Sequence, residues 1–301
     1  MGTIRETLRE ALGRERPLVT PLAHDALSAR LIEAAGFQAV TIGGSALLAA
    51  RHGLPDIGLV GLADMVAGIR DIATATALPI LADGDDGYGD VKCVARLVES
   101  YEAIGVGGIL IEDQRRESKQ QRADKSAAVA DEATIESKLR AALAARSGRD
   151  TMIVGRTDAF GVLGLDAAIR RAERFANLGA DGVFVAGLRK PEEFEKVGRA
   201  LKGVPLLSAA MFEGGDSAWL TPAELGRMGY TQVSFPTALI FRAAAGMHAA
   251  LAQLRAYADG RQDLPPLADY ARIRGVMDEC VRLERWRTVE ASFAAAGTPR
   301  A

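Results

Sequence analysis

From Leu81 to Asp90 the chain reads Leu-Ala-Asp-Gly-Asp-Asp-Gly-Tyr-Gly-Asp, an apolar run that ends in carboxylates spaced by glycines. Carboxylates at that density, at the end of a strand, attract a cation. Mg2+ is the natural candidate, because it takes hard oxygen ligands in an octahedron, keeps several waters and needs only one or two carboxylates directly. Glycines at 84, 87 and 89 permit a sharp turn and leave room for a substrate beside the ion. A lone Asp-x-Asp is more often a solvated acidic loop, but further segments here share the form of a buried run ending in charge. Glu112 and Asp113 end one such run, and Arg156 with Asp158 ends another. Gly43-Gly44-Ser45 follows a further run, where exposed amides could hold a carboxylate or an oxyanion.

The elements that must position these residues follow from hydrophobic patterning. Apolar runs of four to six residues alternate with longer segments of helical period, the pattern of a parallel sheet covered by helices. Strands are expected over 18–21, 39–42, 80–83, 108–112, 151–156, 182–186, 205–209 and 232–235. Helices are expected to begin near Ala26, Leu62, Val91, Glu132, Leu165, Pro191, Pro222 and Thr237. Lys190-Pro191-Glu-Glu and Thr221-Pro222-Ala-Glu224 carry start signals, with proline in the first helical position and acid in the first turn. Eight strand–helix units make an α/β fold of (β/α)8 barrel type the leading architecture, with a doubly wound open sheet as the alternative. A barrel places its active site at the C-terminal strand ends, where these charged residues fall. Residues 1–258 are expected to form the barrel domain and residues 259–301 a linker and a terminal helix. In the latter, the proline-containing stretch 260–266 leads to an amphipathic segment over about 267–295. There Ile273, Val276, Met277, Cys280, Val281, Leu283 and Trp286 recur at helical spacing.

Composition narrows the class. Of 301 residues, 49% are hydrophobic, enough to fill a large core, and the net charge of −2 with scattered Lys and Arg argues against nucleic-acid and membrane partners. Cys93 and Cys280 lie far apart and outside any Cys-x-x-Cys, which suggests a reducing compartment and no thiolate metal site. The first residues show no apolar signal core, and no run of 18 apolar residues occurs, so a cytoplasmic enzyme or binding protein is expected. His24 follows the first strand and could face the site. His52 and His248 lack partners at zinc-ligand spacing and read as structural.

Five segments together resemble the isocitrate lyase and phosphoenolpyruvate mutase superfamily. They are Ala23-His-Asp-Ala-Leu-Ser-Ala-Arg30, Gly53-Leu-Pro-Asp-Ile-Gly58, Ala82-Asp-Gly-Asp-Asp-Gly-Tyr-Gly89, Ile111-Glu-Asp-Gln114 and Gly155-Arg-Thr-Asp-Ala159. The resemblance spans about residues 17–258. It implies a Mg2+-dependent TIM barrel, with Mn2+ as an alternative ion, acting on a small 2-oxo or 2-hydroxy carboxylate through an enolpyruvate-type intermediate. Carried over by position, it implies Asp83 as the direct metal ligand, with Asp85, Glu112 and Asp56 holding the metal's waters. Arg156 matches the arginine that grips the substrate carboxylate, a task suited to its planar fork. Gly43, Gly44 and Ser45 match the loop at the same end of the substrate. It also implies a terminal helix swapped between subunits, giving a homotetramer built as a dimer of swapped dimers.

Departures from the family pattern carry information too. Where the lyases place an acid/base cysteine after the fourth strand, this chain has Gln120 in Ser118-Lys-Gln-Gln-Arg122, and glutamine cannot cycle a proton at neutral pH. Ala186 and Ala209 or Ala210 stand where the family has a glutamate and an asparagine. The metal and pyruvate half of the site therefore looks intact and the lyase acid/base half stripped. Decarboxylation of a 2-oxo acid such as oxaloacetate needs an electron sink but no base, so it asks least of the remaining side chains. Phosphonopyruvate hydrolase or phosphoenolpyruvate mutase-like P–C chemistry is the second reading, and a non-catalytic carboxylate-binding barrel the third. Residues 115–131 are long and polar enough to act as a lid, with Lys119 as a cation able to meet a substrate anion, alongside Glu112 and Arg156. Tyr88 could reach the substrate or pack on that lid. Asp86 adds charge that would disfavour very anionic substrates unless it points away.

Overall fold

Strands buried on both faces need helices on the outside and side chains packed within, and here the apolar runs meet both demands by closing into a cylinder. The computed structural model describes residues 6–119, 128–214 and 217–294. Its strands are β1 (Leu18–Pro21), β2 (Val40–Ile42), β3 (Ile80–Asp83), β4 (Gly108–Glu112), β5 (Met152–Thr157), β6 (Gly182–Val185), β7 (Leu206–Ala210) and β8 (Gln232–Phe235). They form one parallel sheet in the order β1-β8-β7-β6-β5-β4-β3-β2. The seam between β1 and β2 is narrow: a parallel bridge joins Leu22 to Thr41, and the Thr20 and Thr41 hydroxyls lie 2.8 Å apart. The (β/α)8 barrel expected from the sequence is thus present, with strand ends shifted by a residue at β2, β5, β6 and β7.

The helices around the sheet begin where expected: α2 (Ala26–Ala34), α4 (Leu62–Ala75), α5 (Val91–Glu102), α6 (Glu132–Ala145), α8 (Leu165–Asn177), α9 (Pro191–Ala200) and α10 (Pro222–Met228). At α10 the Thr221 hydroxyl accepts from the Glu224 amide at 3.2 Å while the Glu224 carboxylate accepts from the Thr221 amide at 2.8 Å. Their apolar faces and the outer faces of the strands make one continuous core, which includes Tyr101, Phe175, Val94, Ile109 and Val183.

Three helices were not anticipated: α1 (Leu8–Arg14), α3 (Gly44–His52) and the single turn and a half of α7 (Ala159–Leu163). Of these, α1 caps the N-terminal end of the cylinder. Its fully buried Leu8 joins Leu18, Leu81, Met152, Val154 and Leu206 in a second cluster. Gly108 admits Leu8 because a Cβ at that position would sit 2.7 Å from the leucine Cδ2.

The chain divides into two compact units, Met1–Phe241 and Arg242–Ala301. The second holds most of α11 (Ala238–Ala258), then α12 (Tyr270–Cys280) and α13 (Leu283–Ala294). The single terminal helix expected over 267–295 is broken at Arg282, whose φ of +54° cannot continue a right-handed helix. Among the described residues no helix is long and apolar enough to cross a membrane.

Candidate active site

The C-terminal rim is built first from β3. Asp83, its last residue, accepts the Asp85 amide through Oδ1 at 3.0 Å and the Gly44 amide through Oδ2 at 3.2 Å. Its carbonyl accepts the Tyr101 hydroxyl at 2.8 Å. Asp85 adopts a φ of +48°, and its carbonyl accepts the Glu112 amide at 2.8 Å, so the loop after β3 is tied to the end of β4. Between them Gly84 is obligatory, since a Cβ there would stand 2.8 Å from the Leu110 carbonyl oxygen.

β4 and β5 supply the next pair. Glu112 is buried, and its Oε2 lies 2.9 Å from Arg156 NH1, yet off the N–H axis, so that oxygen makes no hydrogen bond among the described residues. Arg156 directs Nε and NH2 to the two oxygens of Asp158, both at 2.9 Å. The fork expected to grip a substrate carboxylate therefore already holds one, and NH1 is the arm that faces the mouth.

Lys119 completes the arrangement from the segment after β4. Its ammonium lies 3.0 Å from Asp56 Oδ1 and 3.7 Å from Glu112 Oε1, and it contacts Asp85. Gly44 presses from the other side, where a Cβ would be 3.4 Å from Asp83 Oδ2 and 3.5 Å from Asp56 Oδ2. Four carboxylates from three loops thus surround one cation position. Lys119, expected to meet a substrate anion, meets the protein's own.

The electrostatics follow from burial among like charges. Desolvation pushes the Glu112 carboxyl up to about 8, against the pull of Arg156 and Lys119. Asp83 is raised by burial and by the neighbouring Asp85 charge. Burial disfavours the Lys119 ammonium, but the surrounding Glu112, Asp85, Asp83 and Asp56 charges outweigh it and hold the proton more firmly than usual.

Hard, desolvated oxygen donors around one cation position suit Mg2+ or Mn2+. Among the described residues no three His, Cys, Asp or Glu side chains are gathered as a ready metal-ligand group. The cation standing among these carboxylates is the ammonium of Lys119. The unpartnered Glu112 oxygen and the raised Asp83 and Glu112 are what a cation would relieve, so the donor set fits the group.

Gly43 is the N-cap of α3, the Gly44 amide is spent on Asp83, and exposed Ser45 offers the next amide of that helix start. Asp86 is neutralised rather than free, because Arg116 Nε lies 3.1 Å and Lys138 Nζ 3.3 Å from its carboxylate. His24 is buried with Nδ1 unpartnered, and burial lowers its pKa. Tyr88 packs under the Arg116 guanidinium, 4.8 Å from ring centroid to Cζ. Ala186 and Ala209 are buried and bring no polar group. Gln120 lies outside the described residues.

Sequence reasoning also missed a support behind the rim. Asp113, next to Glu112 but facing away, accepts from Thr157 Oγ1 at 2.7 Å, the Asp158 amide at 2.8 Å and Arg171 NH1 at 3.0 Å. It holds in place the residue that orients Arg156.

Comparison with known proteins places this geometry in context. The sequence matches the family described as phosphoenolpyruvate phosphomutase over residues 8–255. It is 36% identical over 240 residues to 2,3-dimethylmalate lyase of Eubacterium barkeri, covering 80% of this chain and 82% of that protein. To oxaloacetate decarboxylase of Bradyrhizobium sp. (strain ORS 278) it is 32% identical over 239 residues, with 79% and 82% covered. The structure of oxaloacetate acetylhydrolase in complex with 3,3-difluorooxalacetate superposes with a TM-score of 0.84 at 29% identity, over 98% of this chain and 97% of that one. A phosphonopyruvate hydrolase complex with oxalate and Mg2+ gives a TM-score of 0.78 at 28% identity, over 95% and 98%.

Proposed function

Because this chain belongs to the phosphoenolpyruvate mutase and isocitrate lyase superfamily, as a carbon–carbon lyase of that group, we propose that it is a Mg2+-dependent enzyme cleaving a small 2-oxo or 2-hydroxy carboxylate, with oxaloacetate decarboxylation as the reaction. The observation that carries this reading is the gathering of Asp56, Asp83, Asp85 and Glu112 around one cation position with Arg156 against Glu112. Relatives named for oxaloacetate and for dimethylmalate support the substrate class. Asp83 would hold Mg2+ directly, and Asp85, Glu112 and Asp56 would hold it through water. Bound there, the ion supplies positive charge for the negative charge that develops at the 2-oxo group as carbon dioxide departs.

The chain's own groups do the rest. Arg156 NH1 and the amide of Ser45 at the start of α3 orient the substrate carboxylate. Burial of Glu112 and Asp85 excludes bulk water and strengthens each of these interactions. Departure of carbon dioxide needs no base, and the rim's described residues are carboxylates and cations suited to holding charge. The exposed Met247, Leu251, Tyr257, Trp286 and Phe293 of the second unit give it an apolar surface suited to a homo-oligomer, which we propose is a dimer of swapped dimers.

The test is a Mg2+-supplemented panel of oxaloacetate, 2,3-dimethylmalate, 2-methylisocitrate and phosphonopyruvate, with pyruvate followed through a coupled dehydrogenase. Oxaloacetate turnover that is abolished by EDTA and by Asp83→Ala is expected. Turnover indifferent to both would overturn the reading, and phosphonopyruvate as the preferred substrate would move it to P–C chemistry.

A further inference from the structure

Arg116 lies in the 3-10 turn Arg116–Ser118 after β4, and its guanidinium is seated among groups from two other loops at the mouth. NH1 donates to the carbonyls of Val60 at 3.0 Å and Gly58 at 3.3 Å. Nε donates to Asp86 at 3.1 Å, and NH2 lies 3.4 Å from Asp85 Oδ2. The plane of the group covers the Tyr88 ring. Its own carbonyl accepts the Lys119 amide at 3.1 Å.

Each segment joined in this way carries one of the mouth's charged groups. The 53–60 loop carries Asp56, the loop after β3 carries Asp85, and the 3-10 turn leads into Lys119. Only a planar group with several diverging N–H donors can meet two carbonyls and two carboxylates at once; an ammonium is a point charge with three. The receiving surface is shaped for it. Gly58 has a φ of +79°, and a Cβ there would stand 3.3 Å from Arg116 Cγ and 3.4 Å from its carbonyl oxygen. Asp86 is held from its far side by Lys138 of α6, which donates to the Asp86 carbonyl at 2.7 Å, so the acceptor is itself fixed.

We propose that Arg116 is the positioning residue of the cation site, its side chain setting the mutual placement of Asp56 and Asp85 without touching substrate. The inference rests on reading the mouth as a cation site. It gives Asp86 a task as well: the carboxylate that looked like surplus negative charge is the anchor for the arginine.

The experiment is Mn2+ binding by electron paramagnetic resonance titration on the full chain, with thermal midpoints and steady-state kinetics alongside, for Arg116→Met, Arg116→Lys, Gly58→Ala and the Arg116→Met/Gly58→Ala pair. Loss of a group that orients metal ligands typically weakens metal binding by about 10–100-fold. Arg116→Met is expected to raise the Mn2+ dissociation constant by about tenfold or more, the lost placement of Asp56 and Asp85 outweighing the removal of a positive charge beside Asp85, and to lower kcat more than it raises KM for the substrate. Arg116→Lys should recover little of this. Gly58→Ala should move binding in the same direction with the arginine intact, which keeps the test open if Arg116→Met folds poorly, and the double variant should be little worse than Arg116→Met. A folded Arg116→Met that binds Mn2+ like the wild type, full recovery by lysine, or an indifferent Gly58→Ala would each overturn the proposal. Failure of the wild type to bind Mn2+ would instead remove the cation-site reading, and this proposal with it.

Discussion

Replacing Arg171 by methionine tests how the rim is supported. Arg171 of α8 is buried, and it donates to Asp113 at 3.0 Å and to the Ala130 carbonyl at 2.8 Å. Asp113 has a side chain with no exposure at all, and burial raises its pKa while Thr157, the Asp158 amide and Arg171 pull it down. The methionine variant keeps most of the apolar stem and leaves an uncompensated buried carboxylate, a change that costs about 3–5 kcal/mol. For a domain of this size each kcal/mol lowers the thermal midpoint by about 2–4 °C, so a fall of roughly 6–20 °C is expected by circular dichroism. The sign of its pH dependence is fixed as well. Without Arg171, the carboxyl titrates still higher in the folded protein than in the unfolded chain. The penalty is therefore full at high pH and shrinks as pH falls and Asp113 takes up a proton. Adding Asp113→Asn to the variant should restore part of the loss, because the lone charge goes. An Arg171→Met midpoint within about 2–4 °C of wild type, equivalent to about 1 kcal/mol, or a penalty that grows on acidification, would refute the argument.

Three further outcomes are expected. Lys119→Met should tighten Mn2+ binding in the absence of substrate, because the ammonium competes for the same carboxylates. One charge at about 4 Å is worth about 4 kcal/mol at an effective dielectric near 20, and a third of that is about tenfold in affinity; weaker binding would show that the lysine does not compete. In metal-free protein, Glu112 titrates near 8 rather than at its ordinary 4.5, so the folded state holds a proton that the unfolded chain releases. Its contribution therefore falls as pH rises from about 4.5 to 8, and the midpoint of wild type relative to Glu112→Gln should drop over that interval, with a flat or rising difference counting against it. Gly198→Ala on α9 would place a Cβ 2.0 Å from the Met228 carbonyl oxygen, a backbone clash that no rotamer relieves. A loss of about 1–3 kcal/mol in urea unfolding is expected, and an unchanged midpoint would show that α9 and α10 can part freely.

The barrel was legible because both of its periodicities are strong: buried runs such as Ile80–Asp83 and Gly108–Glu112 end in charge, and helices such as α10 open on proline and a capping pair. What was missed has physical reasons. α3 starts at Gly43-Gly44-Ser45 with no side-chain cap, so it resembles a loop. α1 did carry a signal, since Thr7 and Glu10 form a capping box, but seven residues are too few for periodicity to register. The break at Arg282 has no glycine or proline to announce it. The carboxylates of the mouth could be found one strand end at a time. The partners of Asp86, at positions 116 and 138, come together only when β4 and α6 have been folded against the loop after β3.

The end of β4 shows how a single register decides chemistry. Glu112 and Asp113 are adjacent, both acidic and both buried, and alternation along the strand sends them to opposite sides. Glu112 turns inward to Arg156 and Lys119, where its unpartnered oxygen is available to a cation. Asp113 turns outward to Thr157 and Arg171, and its bond to the Asp158 amide holds the residue that orients Arg156. A slip of one residue would exchange the two, putting the shorter aspartate at the mouth and the longer glutamate in the scaffold. The amide hydrogen bonds that oppose the slip, Glu112 to the Asp85 carbonyl and Asp113 to the Arg156 carbonyl, fix the strand's register and join the ends of β3, β4 and β5, so the fold and the chemistry are specified by the same contacts.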